Sequence, residues 1–478
     1  MLFNSINFAI FLPIVFLFYW FTAKGSYKIQ NIVLLLSSYY FYGSWDWRFL
    51  FLLIFSTLLV YSTAMFMHKA SNQGLKKFWF WLSVCLNLGF LGLFKYYNFF
   101  VTSLAEILSQ LGVHADYHTL SVILPVGISF YTFHGLSYII DIYYERIKPE
   151  QNFITYAVFV CFFPLLVAGP IERATHLLPQ ITRKRVFEYD KAVDGLRQIL
   201  WGLFKKIVIA DNCATYVNQI FNNYHSQSGS TLLIGAVFFA FQIYGDFSGY
   251  SDIALGTARL FGIELLRNFA FPYFSRDIAE FWRRWHISLT TWFRDYLYIP
   301  LGGSRGGKWK AIRNTFIIFL VSGFWHGANW TFIVWGFFHA LLFLPLLLLQ
   351  KNRKNTNSVA EGKWFPTLKE IFQMLSTFLL VVLGWIFFRA DTIAQAFDYL
   401  GRIFTKSILT KPVADGSHGL ILCVLFMLLV EWFQRDKKYG LQIDFIKNGF
   451  LRWTIYLGVL AILFFFGGKS ETFIYFQF

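Results

Sequence analysis

The chain has 478 residues, of which 56% are hydrophobic, 22% aromatic and only 14% charged, and it carries a net charge of +16. Apolar runs of about 15 to 25 residues recur from end to end, enough to cross a bilayer as helices. This excludes a water-soluble globular or disordered chain, and because the basic residues gather beside the apolar runs, membrane lipid and not nucleic acid is the expected surrounding.

The first run, Phe8 to Phe21, lacks the basic start and small-residue cleavage site of a secretory signal, so it reads as a retained transmembrane helix. No Pro/Ser/Gly-rich linker, repeat or low-complexity tract follows. The expected organisation is therefore one all-α integral membrane domain over residues 1–478. Cys85, Cys161, Cys213 and Cys423 stand alone without a CxxC pair, so neither a disulfide framework nor a metal site is expected, and no bound cofactor.

Basic residues cluster at Lys24 and Lys28, at Lys69, Lys76 and Lys77, and at Arg183, Lys184 and Arg185. Further clusters lie from Arg267 to Arg313, at Lys351, Arg353 and Lys354, and at Arg435, Lys437 and Lys438. Lysine and arginine next to spans favour the cytoplasm, which puts these loops inside and the N-terminus outside. A full crossing from Phe153 to Ala168 would misplace the basic segment after it, and Pro164 and Gly169-Pro170 interrupt the run. A re-entrant or broken helix is expected there, tolerated at membrane depth only where it lines a protein-enclosed cavity. GDFSGYSD is expected to interrupt residues 231–263 in the same way. The crossing count expected is about ten to twelve.

From Asn314 to Leu349 there is no Lys, Arg, Asp or Glu, yet the run contains His326 and His339. At about 1.5 Å per residue His326 lies about 18 Å into the run, near a bilayer midplane. An ionisable group at that depth is a functional-site candidate, and the alternative is polar glue between helices. Gly323 and Gly327 flank it and admit either a substrate or a close helix; spacing does not choose.

Upstream is the densest polar segment, SRDIAEFWRRWHISLTTWFRDYLYIPLGG, residues 275–303. On one helix Trp282, Trp285 and Leu289 share a face while Arg283, Arg284 and Arg294 supply charge, a pattern suited to the membrane interface. It serves either as a positive-inside anchor or as a landing site for an anionic donor, whose phosphates arginine forks bind and whose purine or apolar chain the tryptophans cover. His286 lies in its middle.

FWRRWHISLTTWFRDYLYIPLGG, followed by WHG at Trp325 to Gly327, resembles the bacterial membrane-bound O-acyltransferases, the membrane subunits of alginate and peptidoglycan O-acetylation in particular. LPVGISFYTFHGLSYIIDIYY at 124–144, FFPLLVAGPIER at 162–173 and QIYGDFSGYSDIALG at 242–256 extend the resemblance over nearly the whole chain. It implies a multi-pass protein of the bacterial cytoplasmic (inner) membrane, with a ring of helices around a thin central funnel. His326 falls on the family's catalytic histidine and His286 on its upstream partner position. The implied donor is cytosolic acetyl-CoA. The implied partner is an extracytoplasmic SGNH-type acetyltransferase that passes acetyl groups to an envelope polysaccharide. A D-alanyl transferase of a teichoic-acid pathway and a transporter are the alternatives.

The chemistry suits the residues. A hydroxyl attacking a thioester must lose its proton to a base, and an imidazole, with an ordinary pKa near 6.5, matches that task. His286 orients His326, contacts the acceptor or polarises the thioester. Ser322 and Asn329 are candidate donors to an oxyanion or structural residues. Asp246, Ser248, Tyr250 and Asp252 are expected to line the same cavity or serve helix packing, with Trp325 beside His326. Finally, FIYFQF ends the sequence after a run from Trp453 to Phe466. Its aromatics suit an interfacial anchor. The pattern Phe473, Tyr475, Phe478 also resembles a family motif whose tyrosine carries the acyl group, with a histidine activating the phenol.

Overall fold

Hydrocarbon offers no water to backbone N–H and C=O groups, so a chain this apolar must satisfy them within its own helices. The structure is a computed structural model that describes residues 1–22, 26–113, 117–121, 123–167, 169–414 and 416–476, and among these every regular element is a helix. Lys24, Ala168 and Phe478 lie outside the described residues. Two compact units divide the chain: Met1–Ala192 with Thr257–Leu266, and Val193–Gly256 with Arg267–Phe478.

The first unit contains α1 (Ile6–Thr22), α2 (Tyr27–Gly43), α3 (Trp47–His68), α4 (Gln73–Leu91), α5 (Tyr97–Gln110), α6 (Ile128–Tyr143), α7 (Phe153–Cys161), α8 (Phe163–Leu166) and α9 (Ala174–Ile181). Asp46, Asn72 and Asn152 cap their helices by accepting from Arg48 N, Leu75 N and Thr155 N. The run after Phe153 breaks between α7 and α8, where Phe162 leaves helical geometry and Pro164 has no N–H to give. Gly127 begins α6 at φ 74°, and a side chain there would overlap the Leu166 carbonyl, so only glycine fits. Glu172, fully buried, ties the 162–173 motif together: its N–H donates to His134 Nε2 at 3.0 Å, and its carboxylate accepts from Leu266 N and from His176 Nδ1.

The second unit takes in most of α10 (Tyr189–Leu203) and α12 (Gly229–Leu260), a π-helical turn Phe204–Ala210, and α11 (Asp211–Asn222). It continues with α13 (Ile278–Arg284), α14 (Ile287–Phe293), α15 (Lys308–His326), α16 (Trp330–Leu348), α17 (Leu368–Arg389), α18 (Ile393–Ile403), α19 (His418–Phe433) and α20 (Gly449–Phe466). Among the described residues six helical stretches are long and apolar enough to cross a membrane: α3, α4–α5, α12, α16, α17 and α20, with α1 and α19 shorter but similarly apolar. α20 buries only Val459 and turns Phe450, Phe464 and Phe465 outward, a surface that suits acyl chains and not water. The protein is a multi-pass, all-α membrane protein.

Three expectations change. GDFSGYSD does not break its helix: α12 runs unbroken for 32 residues. Its two carboxylates are paired from outside, Asp246 by Lys206 and Asp252 by Lys205, while Gly249 and Gly256 face the backbone of Gly202 and Gly195. Residues 275–303 are not one helix, because the chain turns at Trp285 and His286 between α13 and α14. Nor does His326 fall partway along its helix. α15 starts at Lys308, six residues before the uncharged run, and ends at His326, about 27 Å from its first residue. The chain then reverses at Gly327–Asn329 into α16. Gly323 and Gly336 let the two helices touch, since a side chain on either would overlap the Phe332 or Phe319 carbonyl, and the ring of Phe332 covers Gly327. Close packing, not substrate access, explains these glycines.

Candidate active site

His326 is 3% exposed, held at the C-terminal end of α15 by the rings of Trp335 at 5.1 Å and Phe388 at 5.3 Å. The helix's terminal carbonyls present partial negative charge to an imidazolium formed there by proton uptake. Tyr475, in the turn Ile474–Phe476, places its ring 5.7 Å from that of His326 and 6.2 Å from Trp325. Phe247 of α12 touches both Tyr475, at 4.9 Å, and His286, at 4.6 Å. The two histidines and the tyrosine, far apart in sequence, thus share one aromatic-walled site.

His286 owes its position to backbone strain. Its φ of 43° is left-handed, a region histidine enters more readily than most residues but still at a cost, and it is the turn between α13 and α14. Flanking backbone bonds, Ala270 N to Arg284 O and Ile287 N to Asn268 O, hold the turn. Its Nδ1 lies 3.3 Å from Asn268 Oδ1, which also accepts from Ser288 at 2.6 Å. An oxygen that only accepts selects the Nδ1–H tautomer, leaving Nε2 as a bare lone pair with no hydrogen-bond partner among the described residues. Phe247 carried no signal in the sequence beyond being a ring within a motif, and Asn268 lies outside every motif.

The other candidates divide. Asp246 accepts from Ile474 N at 2.6 Å, and Tyr250 packs its ring 4.4 Å from Phe473, so both line the seat of the Tyr475 segment. Ser248 is buried on the same helix. Asp252 instead joins buried Lys205 at 2.6 Å and Gln198 at 2.7 Å, a separate, partly buried cluster. Ser322 is one turn before His326 on α15 and buried. Asn329 is a cap: its oxygen accepts from Thr331 N and one N–H of its amide donates to Asp391 O.

The two tryptophans of the expected donor-landing face turn inward. Trp282 packs on Trp335, Phe319 and His339, and Trp285 on Phe269 and Trp385, so neither offers a ring to solvent. Arg283 donates to the carbonyls of Asn352 and Asn355, and Arg284 pairs with Glu280 and donates to Ala270 O and Asn357 O. These two arginines tie down the 352–357 loop. Arg283 keeps an exposed side chain despite these bonds, and Arg294 is exposed and paired with Asp295. A cleft of about 500 Å³ nearby in sequence is lined by Lys308 and Arg353 with Tyr298, Ser304 and Asn352. His339 is a core residue between Phe281, Trp282 and Trp335. Among the described residues no three His, Cys, Asp or Glu side chains gather as a metal site.

What this fold and site define is a multi-pass membrane acyltransferase. The model of MBOAT, the membrane-bound O-acyltransferase family, matches residues 34–383, and the chain belongs to that family. It is 37% identical to a probable alginate O-acetylase of Pseudomonas putida, over 98% of each chain. It is 32% identical to a peptidoglycan O-acetyltransferase of Helicobacter pylori, over 100% of this chain and 98% of that one. A teichoic acid D-alanyltransferase of Bacillus subtilis is more distant, 28% identical over 60% of this chain and 74% of its own length.

Proposed function

We propose that the protein is an O-acetyltransferase of the bacterial inner membrane that takes acetyl groups from cytosolic acetyl-CoA and passes them outward for O-acetylation of an envelope polysaccharide. The observation that carries this reading is the adjacency of His326 and Tyr475 in a chain whose relatives along its full length are named for O-acetylation. In the first step the Tyr475 phenol oxygen attacks the thioester carbonyl, and its proton passes to His326. The carbon–sulfur bond breaks, the coenzyme A thiolate leaves and takes up a proton, and an acetyl ester remains on Tyr475. That ester is then transferred to an acceptor hydroxyl through an SGNH-type extracytoplasmic partner. His286 Nε2, a lone pair in the same site, orients or relays the proton. Exposed cations supply the donor's entry: Lys308 and Arg353 in the 500 Å³ cleft and Arg294 at the surface attract its phosphates.

Purified protein in vesicles given acetyl-labelled coenzyme A tests this. The expected result is thioester consumption and a +acetyl species on the peptide containing Tyr475. Consumption of D-alanyl carrier protein in place of acetyl-CoA, or movement of an intact solute without thioester loss, would overturn it.

A further inference from the structure

Two adjacent lysines, Lys205 and Lys206, lie in the apolar stretch LWGLFKKIVIAD, and the π-helical turn directs both into the protein. Lys206 is 1% exposed, and its ammonium stands 2.7 Å from Asp211 and 2.8 Å from Asp246, themselves 1% and 3% exposed. Buried charges of this kind are expensive and persist only when every member is paired. Two carboxylates share this one ammonium, and the backbone at Glu471 and Ile474 completes the cluster, a carbonyl for the ammonium and an N–H for a carboxylate. Ile474 N donates to Asp246 Oδ2 at 2.6 Å, and Lys206 Nζ donates to Glu471 O at 3.1 Å. Just upstream, Asn212 Nδ2 donates to Phe466 O at 2.8 Å and Gly468 N to Ile207 O at 3.3 Å. Apart from the short turn at its end, the segment has no regular structure of its own, so these ties and the burial of Phe473 and Ile474 must offset the entropy of ordering it.

We propose that Lys206, bracketed by Asp211 and Asp246, is a latch for residues 467–476 and the positioning residue that seats Tyr475 against His326. The latch grips peptide groups and not side chains, so it fixes register: with Glu471 O and Ile474 N engaged, the next residue along is Tyr475. A slip of one residue would bring Ile474 or Phe476, neither with a hydroxyl, to the histidine. The functional weight of the latch rests on the reading of Tyr475 as acyl carrier, but its geometry is independent of that reading.

The test is cysteine accessibility in the full chain. Ile474→Cys in a Cys85→Ser background places a thiol that is protected while the segment is latched, and the native buried Cys213 reports unfolding of the surrounding helices. With Lys206 intact, maleimide labelling at position 474 should be slow. Lys206→Met should speed it at least about tenfold, the scale of losing charge-assisted hydrogen bonds, while Cys213 stays protected. If that variant fails to accumulate, Lys206→Met with Asp211→Asn and Asp246→Asn removes all three charges and should give the same result. Unchanged labelling at 474, or labelling of 474 and Cys213 together, would overturn the latch. Acetyl transfer measured on the same variants separates the two readings. Released labelling with acetylation intact leaves the latch standing and removes Tyr475 as carrier.

Discussion

The rings of His326 and Tyr475 lie 5.7 Å apart at 38°, one at the C-terminal end of α15 and the other in a short turn beyond α20. In the proposed acyl transfer the imidazole must reach the phenol's proton while a thioester carbonyl approaches its oxygen.

Removing the base should stop the chemistry and spare the fold. His326→Gln keeps a side chain of similar reach among Trp335 and Phe388, so the protein should still insert and accumulate. Acetyl transfer should fall about 10²- to 10⁴-fold, the range of general base catalysis. Near-normal envelope acetylation in this variant would remove His326 from the mechanism. His286→Asn, which tolerates the left-handed turn, should also lose most activity with little loss of stability.

Tyr475→Phe retains the ring stacked near Phe247 and Phe473 and removes only the oxygen. Envelope acetylation should be abolished and the acetylated peptide absent from mass spectra. A variant that acetylates like the parent reduces the ring to packing.

The arginines should behave differently from one another. Charge reversal at Lys308, Arg353 or Arg294 should raise the acetyl-CoA concentration needed for half-maximal rate, an effect that shrinks as salt rises. Arg283→Met should leave that concentration unchanged and lower thermal stability in detergent, because it frees the carbonyls of Asn352 and Asn355. Rate against donor concentration, read beside a melting curve, distinguishes the two.

Gly336→Ala tests the α15–α16 contact. Its new methyl overlaps the Phe319 carbonyl, so the hairpin that ends in His326 must open, at a cost of about 1–3 kcal/mol. Reduced folded yield by size-exclusion chromatography is expected; unchanged stability would mean the helices part freely.

In the first unit, outside the candidate spans, the hydrogen bond to Glu172 is the main cause that raises the pKa of the half-buried His176 above its ordinary value. A raised pKa contributes stability fully below the unfolded value, about 6.5, and loses it as pH rises through the folded value. Melting temperature should therefore decline with rising pH in that window. Glu172→Gln should flatten the decline, and an unchanged slope would assign it to another group.

Composition and spacing were enough to read an all-α membrane protein, the break after Phe153, and His326 and His286 as residues of interest, while Tyr475 rested on the family resemblance of the terminal pattern. Those features are local: apolar length follows bilayer thickness, Pro164 removes a helix donor wherever it stands, and a motif is contiguous. Tertiary structure alone decided what the polar residues do. Lys205 and Lys206 look like an interruption in an apolar stretch, yet they satisfy Asp252 and Asp246 and so keep α12 whole where GDFSGYSD suggested a break. Arg283 and Arg284 look like donor ligands, yet both also donate to the carbonyls of a loop some seventy residues on. Helical periodicity cannot reveal either, because the partner of a buried charge is chosen by which helices pack together, and the energy that enforces the pairing appears only once water has been excluded from around it.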